Sequence, residues 1–309
     1  MSGPSQWAAP GSTAPSGPSG PSGLTSPSGS PSGPSAGRQT TATALVAAPA
    51  STLRPRTVLE LLDDACAVVK RFPRSIFAIS ALIVVPIHIV LAYVQRDALQ
   101  SFDIFETSSS TGNEVTFSNG GLLTGIAVES FALTLVAAAL APLVVAYRLG
   151  GKPPPPRVLL SGVGKRLLPL LVAWTLVHLV EAVLLVTIVL PLVAAAWFVV
   201  VTPVVVLESA GPITALKRSR ILTAKSNAIA YVVVSGFFIG SILDGLLSGV
   251  VVAASQGIWI IAGLASVLAA LVTTPLIAIG TCLFYVDRRI RSEGLDIELA
   301  AGEAFAAAV

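Results

Sequence analysis

LLPLLVAWTLVHLVEAVLLVTIVLPLVAAAWFVVVTPVVVL, from Leu167 to Leu207, holds only two ionisable side chains, His178 and Glu181. Wound as one helix it would reach roughly 60 Å, about twice the hydrocarbon thickness of a bilayer. No soluble core calls for that. The stretch reads as two membrane-spanning helices folded back on each other near Thr187 to Pro191, and the rest of the chain can be ordered around this hairpin.

The composition agrees. Of 309 residues, 54% are apolar and 11% charged, against roughly 25% charged in a soluble domain, and the mean hydropathy is +0.84. These values belong to the multi-pass membrane class. The formal charge of +3 does not point to nucleic acid, because the bases flank apolar spans and form no face. Cys66 and Cys282 lie far apart, both on the expected cytoplasmic side, where no disulfide is expected. No cleavable leader is visible, so the first span is expected to serve as the insertion signal.

Residues 1–53 begin with Pro/Ser/Gly repeats and read as a disordered cytoplasmic tail and linker. Residues 54–298 form the membrane domain, and 299–309 a short Ala-rich tail. Thr57 and Glu60 have capping-box spacing and open a helix over 57–71. Its apolar half holds Leu59, Leu61, Leu62, Ala65 and Val68, and its polar half Glu60, Asp63 and Asp64. It is expected at the cytoplasmic interface, ended by Pro73. Spans follow at about 76–94 and 122–147, then the hairpin, then about 228–252 and 258–285. The expected fold class is an all-α polytopic bundle of about six transmembrane helices plus cytoplasmic interfacial helices. Prolines 86, 142, 191, 203 and 275 are expected to break or kink several spans.

Basic residues orient the spans. With the N-terminus inside, every Lys and Arg except Arg96 falls in a cytoplasmic segment. If Leu167–Leu207 crossed only once, Lys217, Arg218, Arg220, Lys225, Arg288, Arg289 and Arg291 would all lie outside. Both termini are therefore expected in the cytoplasm, with an acidic loop outside over 95–120.

No nucleotide, metal or nucleophile motif is present, and two histidines cannot build a His-rich metal site. No cofactor is expected. His178 and Glu181, three residues apart, share a helix face and offer a proton relay, half of a cation site, or a mutually satisfied pair between helices. Asp244 lies among small residues at four-residue spacing, Gly236, Gly240 and Ser248, which suit close helix contact or an ion site. Glu129 joins Glu181 and Asp244 in the outer halves of their spans. At the cytoplasmic face, Glu208 stands before a helix restarted by Pro212, where an anion is favoured. Arg218 and Arg220 offer anionic lipid headgroups a partner or act as ordinary anchors. The wheel of this helix is unclean, so packing on several sides is expected.

The run PVVVLESAGPITALKRSRILT, Pro203–Thr223, resembles the signature of the glycerophosphoryl diester phosphodiesterase membrane-domain family, and of related multi-pass proteins of high-GC bacteria, through Pro203, Glu208, Gly211, Ala215, Leu216, Arg218, Ser219, Leu222 and Thr223. FYVDRRIRSEGLDIE, Phe284–Glu298, is similar to its closing motif, and RPRTVLELLDDACAVVKRFPRSIF to its N-terminal interface helix. The resemblance covers roughly 54–298. It implies a membrane domain that elsewhere can accompany a phosphodiesterase domain; the His and acidic pairs of such an enzyme are missing here, so no enzymatic activity is expected. The expected function is a non-enzymatic scaffold, anchor or accessory subunit in an envelope or lipid-related process of the cytoplasmic membrane. Its partners would be membrane lipids and an unidentified protein. The alternative is a small transporter or lipid-handling protein using the intramembrane acids.

Overall fold

The computed structural model describes residues 53–94, 96, 119–187, 189–224, 240, 242, 246, 250, 258–297 and 299. The Pro/Ser/Gly-rich stretch, nearly all of the acidic 95–120 loop, the tail beyond Leu299 and most of the 228–252 span, Asp244 included, lie outside them. Among the described residues every element is a helix. We number them α1 (Val58–Arg71), α2 (Pro73–Val94), α3 (Asn119–Arg148), α4 (Pro156–Leu184), α5 (Val189–Phe198), α6 (Val201–Leu207), α7 (Pro212–Ala224) and α8 (Trp259–Glu293).

The capping box forms at α1. The Glu60 N–H meets the Thr57 side chain, and the Glu60 carboxylate accepts from the Thr57 N–H at 2.7 Å. That backbone donor, followed by Arg54, holds the Glu60 carboxyl down at about 2. The apolar half of α1 divides. Leu61, Ala65 and Val68 are buried against the bundle, while Leu59 and Leu62 are exposed.

Among the described residues five stretches are long and apolar enough to cross a membrane: Pro73–Val94, Ala127–Arg148, Pro156–Leu184, Leu190–Leu207 and Trp259–Glu293, with mean hydropathy between 2.1 and 2.5. Their outward faces are apolar too: Leu82, Ile89 and Val90 on α2, Leu168 and Leu179 on α4, and Ile260, Leu264 and Leu268 on α8 are all exposed. Ile242, Leu246 and Val250 repeat this at four-residue spacing. A soluble protein does not expose such stripes; a bilayer covers them.

α3 is central. Val136 to Ala141 are buried without interruption, as expected of a helix surrounded on all sides, and its alanines let neighbours approach closely. α8 packs on α1, α2 and α3; α4 and α6 pack on α3; α7 lies against α4, α5 and α6. Gly263 of α8 is required where α8 meets α2, because a Cβ there would stand 2.8 Å from the Ala92 Cβ. At Gly240 a Cβ would meet Ile277 of α8 at an ordinary 3.8 Å.

The hairpin folds as expected. α4 ends at Leu184, the Thr187 N–H donates to the Leu184 carbonyl at 3.0 Å, and α5 begins at Val189. Two features differ from the sequence expectation and a third agrees with it. First, the basic connector before the hairpin is helical from Pro156 and continuous with the span; Pro156 sits at the first helical position, where its missing N–H costs nothing. Second, the helices run through Pro86, Pro142 and Pro275 without interruption. Third, in line with the expectation for Pro203, the second limb of the hairpin is broken at Val199–Val200, between α5 and α6. Pro203 has no N–H for the Val199 carbonyl and its ring crowds that oxygen.

Candidate functional site

The break exposes the Trp197 carbonyl, and α7 supplies its partners. Ser219 Oγ donates to it at 2.7 Å, and Thr223 Oγ1 lies 3.3 Å away. Ser219 and Thr223 are four residues apart, hence on one face of α7, which they bury together with Ala215 and Leu222. Ile213, Lys217, Arg220 and Ile221 form the exposed face. The wheel looks unclean because its buried face is partly hydroxyl: α7 packs through one face, not several. This is the way broken membrane helices are satisfied, by hydroxyls of a neighbouring helix.

At the same end of the helices the charged residues interlock. Beyond Phe284, α8 carries Tyr285, Asp287, Arg288, Arg289, Arg291 and Glu293. Helical spacing sends them in three directions. Tyr285, Arg289 and Glu293 form one stripe, facing α7. There the Tyr285 hydroxyl donates to Glu208 Oε1 at 2.8 Å, and Arg218 Nε lies 3.0 Å from Glu208 Oε2. Arg218 also pairs with Glu293, which Arg289 holds at 3.0 Å. Partial burial works against the Arg218 cation, but the hydrogen bonds to Glu293 and Glu208 outweigh it and raise its pKa. Arg218 is thus bracketed by two carboxylates and is not an open cation. Glu208 likewise turns to Arg218 and Tyr285 and does not cap α7.

The second direction is that of Asp287, which is 1% exposed. It accepts the Arg56 backbone N–H and Arg291 Nε, each at 2.7 Å, and Arg291 Nη2 returns a hydrogen bond to the Arg56 carbonyl at 2.7 Å. Asp64, expected on the solvated half of α1, instead pairs with Arg148 at the end of α3 at 2.7 Å and lies 3.6 Å from Arg56 Nε. In the third direction Arg288 Nε donates to the Leu222 carbonyl at 2.8 Å. Three segments distant in sequence, around Arg56, Arg218 and Asp287, are therefore held together by one helix end.

Of the other sequence candidates, Arg220 stays outside this clasp, exposed with its guanidinium 4.7 Å from the Trp197 ring centre. His178 and Glu181 are 3.9 Å apart and half-buried on α4. His178 Nδ1 lies 2.9 Å from the Trp174 carbonyl, and Trp174 Nε1 donates to Ser130 Oγ of α3 at 3.0 Å. Glu129 is exposed on α3. His88 is buried in α2. The described residues hold no cluster of His, Cys, Asp and Glu suited to a metal ion.

Sequence reasoning gave no role to Tyr285, Asp287, Glu293, Asp64 and Arg148, and named Ser219 and Thr223 only as residues of the signature run. The four-residue spacings of Tyr285, Arg289 and Glu293 and of Asp287 and Arg291 carry a signal; the pairing of Asp64 with Arg148 has none. No family model, no curated protein and no solved structure matches the chain.

Proposed function

We propose that this is a multi-pass protein of the cytoplasmic membrane, with both termini inside, which acts as a non-enzymatic anchor or accessory subunit in an envelope or lipid-related process. The observation that carries the reading is the clasp: Glu208, Arg218, Glu293, Asp287 and Arg56 are engaged with one another, which builds a fixed surface at the basic end of the bundle. The bias of Lys and Arg toward that end gives the orientation. The three segments that resemble the glycerophosphoryl diester phosphodiesterase membrane-domain family are the three that the clasp joins, which supports membership without implying hydrolysis.

Beside the clasp, the exposed α7 face presents Ile213, Lys217, Arg220 and Ile221 to a partner. The test is crosslinking and purification of the tagged full chain from mild detergent. A partner at fixed stoichiometry is expected, lost in the Lys217→Glu, Arg220→Glu variant while the melting temperature holds. Recovery that ignores this charge reversal, or no stoichiometric partner at all, refutes the anchor reading.

A second reading, transport, is favoured by one observation. With His178 Nδ1 turned to the Trp174 carbonyl, Nε2 and the Glu181 carboxylate stand 3.9 Å apart, beyond a direct hydrogen bond but within reach of a proton relay through one water. In reconstituted vesicles Glu181→Gln would then abolish proton-coupled flux; proton flux equal to that of the parent chain removes this reading.

A further inference from the structure

Arg288 is 2% exposed. One N–H of its guanidinium is satisfied, by the Leu222 carbonyl. That bond alone would make Arg288 a cap for the carbonyl end of α7. Yet a guanidinium carries five donors, and Arg288 makes no ion pair and no other side-chain hydrogen bond among the described residues. Its Nη atoms are not among the enclosed side-chain atoms left without a partner, so their remaining donors keep access to the space beside them.

The same arginine lines an open groove of about 620 Å³ between the end of α8, the turn after it and the segment before α1, along with Pro55, Ile290, Arg291, Asp296 and Ile297. Arg291 has Nε on Asp287 and Nη2 on the Arg56 carbonyl, which leaves Nη1. Asp296 makes no ion pair among the described residues, so one groove contains an acid and a base that do not reach each other. The carbonyl end of α8 lies beside them and works against an isolated anion. Arg288 is four residues beyond Phe284, about 6 Å along the helix axis, at the level where an apolar span gives way to headgroups.

We infer that this groove binds a phosphate ester bearing a primary amine, with the phosphate on the free Nη atoms of Arg288 and Arg291 and the ammonium toward Asp296. The Leu222 hydrogen bond fixes the plane of the Arg288 fork, so that two parallel N–H groups can meet two phosphate oxygens. Ile290, Ile297 and Pro55 supply apolar walls for the carbon backbone of the ester. The chemistry is that of an aminophospholipid headgroup or of a soluble phosphoamine. It does not depend on the anchor reading.

The experiment uses the full chain in neutral detergent, offered equal amounts of phosphatidylethanolamine and phosphatidylglycerol with the same acyl chains. Retained lipid is counted by native mass spectrometry, and O-phosphoethanolamine is titrated calorimetrically in parallel. Phosphatidylethanolamine should be retained about tenfold over phosphatidylglycerol. Asp296→Asn, a change at a partly exposed residue, should bring the two to parity, and Arg288→Gln should cut both about tenfold. If Arg288→Gln does not fold, Arg288→Lys keeps the charge without the fork and should weaken retention several-fold. Binding of O-phosphoethanolamine without the lipid supports the site and assigns it to a soluble ester. Equal retention of the two lipids by the unaltered chain with no binding of O-phosphoethanolamine, or a lipid preference that survives Asp296→Asn, overturns the inference.

Discussion

Trp197 ties two helices together through its backbone oxygen. Ser219 and Thr223 both reach that oxygen, so their contributions are coupled. Ser219→Ala alone leaves Thr223 to take over and should cost under about 1 kcal/mol. Ser219→Ala with Thr223→Val leaves the half-buried Trp197 carbonyl without these partners and should cost about 1–3 kcal/mol. Melting temperatures in detergent for the two single variants and the double measure the coupling; strict additivity would mean that the carbonyl is satisfied by something else. From the sequence these hydroxyls read only as residues of a signature run on a poorly amphipathic helix, with no partner named for them. Their meaning depends on a carbonyl that is free because a different helix breaks, and no local pattern carries that.

At the scale of elements, Gly263 sets how closely α8 approaches α2. A methyl there would overlap the Ala92 Cβ, 2.8 Å away. Gly263→Ala should lower the melting temperature, by about 1–3 kcal/mol of stability if the helices must part, and Ala92→Gly in the same chain should restore most of it. Failure of the second change to rescue the first would show that the contact is not what Gly263 serves. Span positions were legible from hydropathy, because about 20 apolar residues in a row have few other uses, and the α1 cap from the spacing of Thr57 and Glu60. Which proline would break its helix was not legible. Pro86, Pro142, Pro169 and Pro275 carry the same signal as Pro203 and sit inside continuous helices.

For the whole molecule, the sequence marks the basic end of the bundle and leaves the partners there unknown. Lys and Arg counts place Arg218, Arg288 and Arg291 on one side; only the fold tells that Arg218 lies between Glu208 and Glu293 while Arg288, among the described residues, makes no ion pair and feels a carboxylate only in the neighbouring Asp287. The two cysteines give the orientation a direct test. Cys66 is exposed on α1 and Cys282 buried, its Sγ 3.5 Å from the Ala137 carbonyl. A membrane-impermeant maleimide should label inverted vesicles at Cys66 alone and leave intact cells unlabelled, with Cys66→Ser abolishing the signal. Labelling of intact cells at Cys66 would reverse the topology.

The divided limb of the hairpin also bears on how the chain is made. When residues 189–207 enter the bilayer, the Trp197 oxygen has no donor, and in hydrocarbon an unsatisfied carbonyl costs several kcal/mol. Its partners, Ser219 and Thr223, leave the ribosome about twenty-five residues after it, a delay of roughly one to five seconds at ordinary rates of synthesis. Until then the limb is a poor passenger for the lipid phase. The insertion machinery must hold it at its lateral opening, or it must wait as an unbroken helix and snap at Val199–Val200 when α7 arrives.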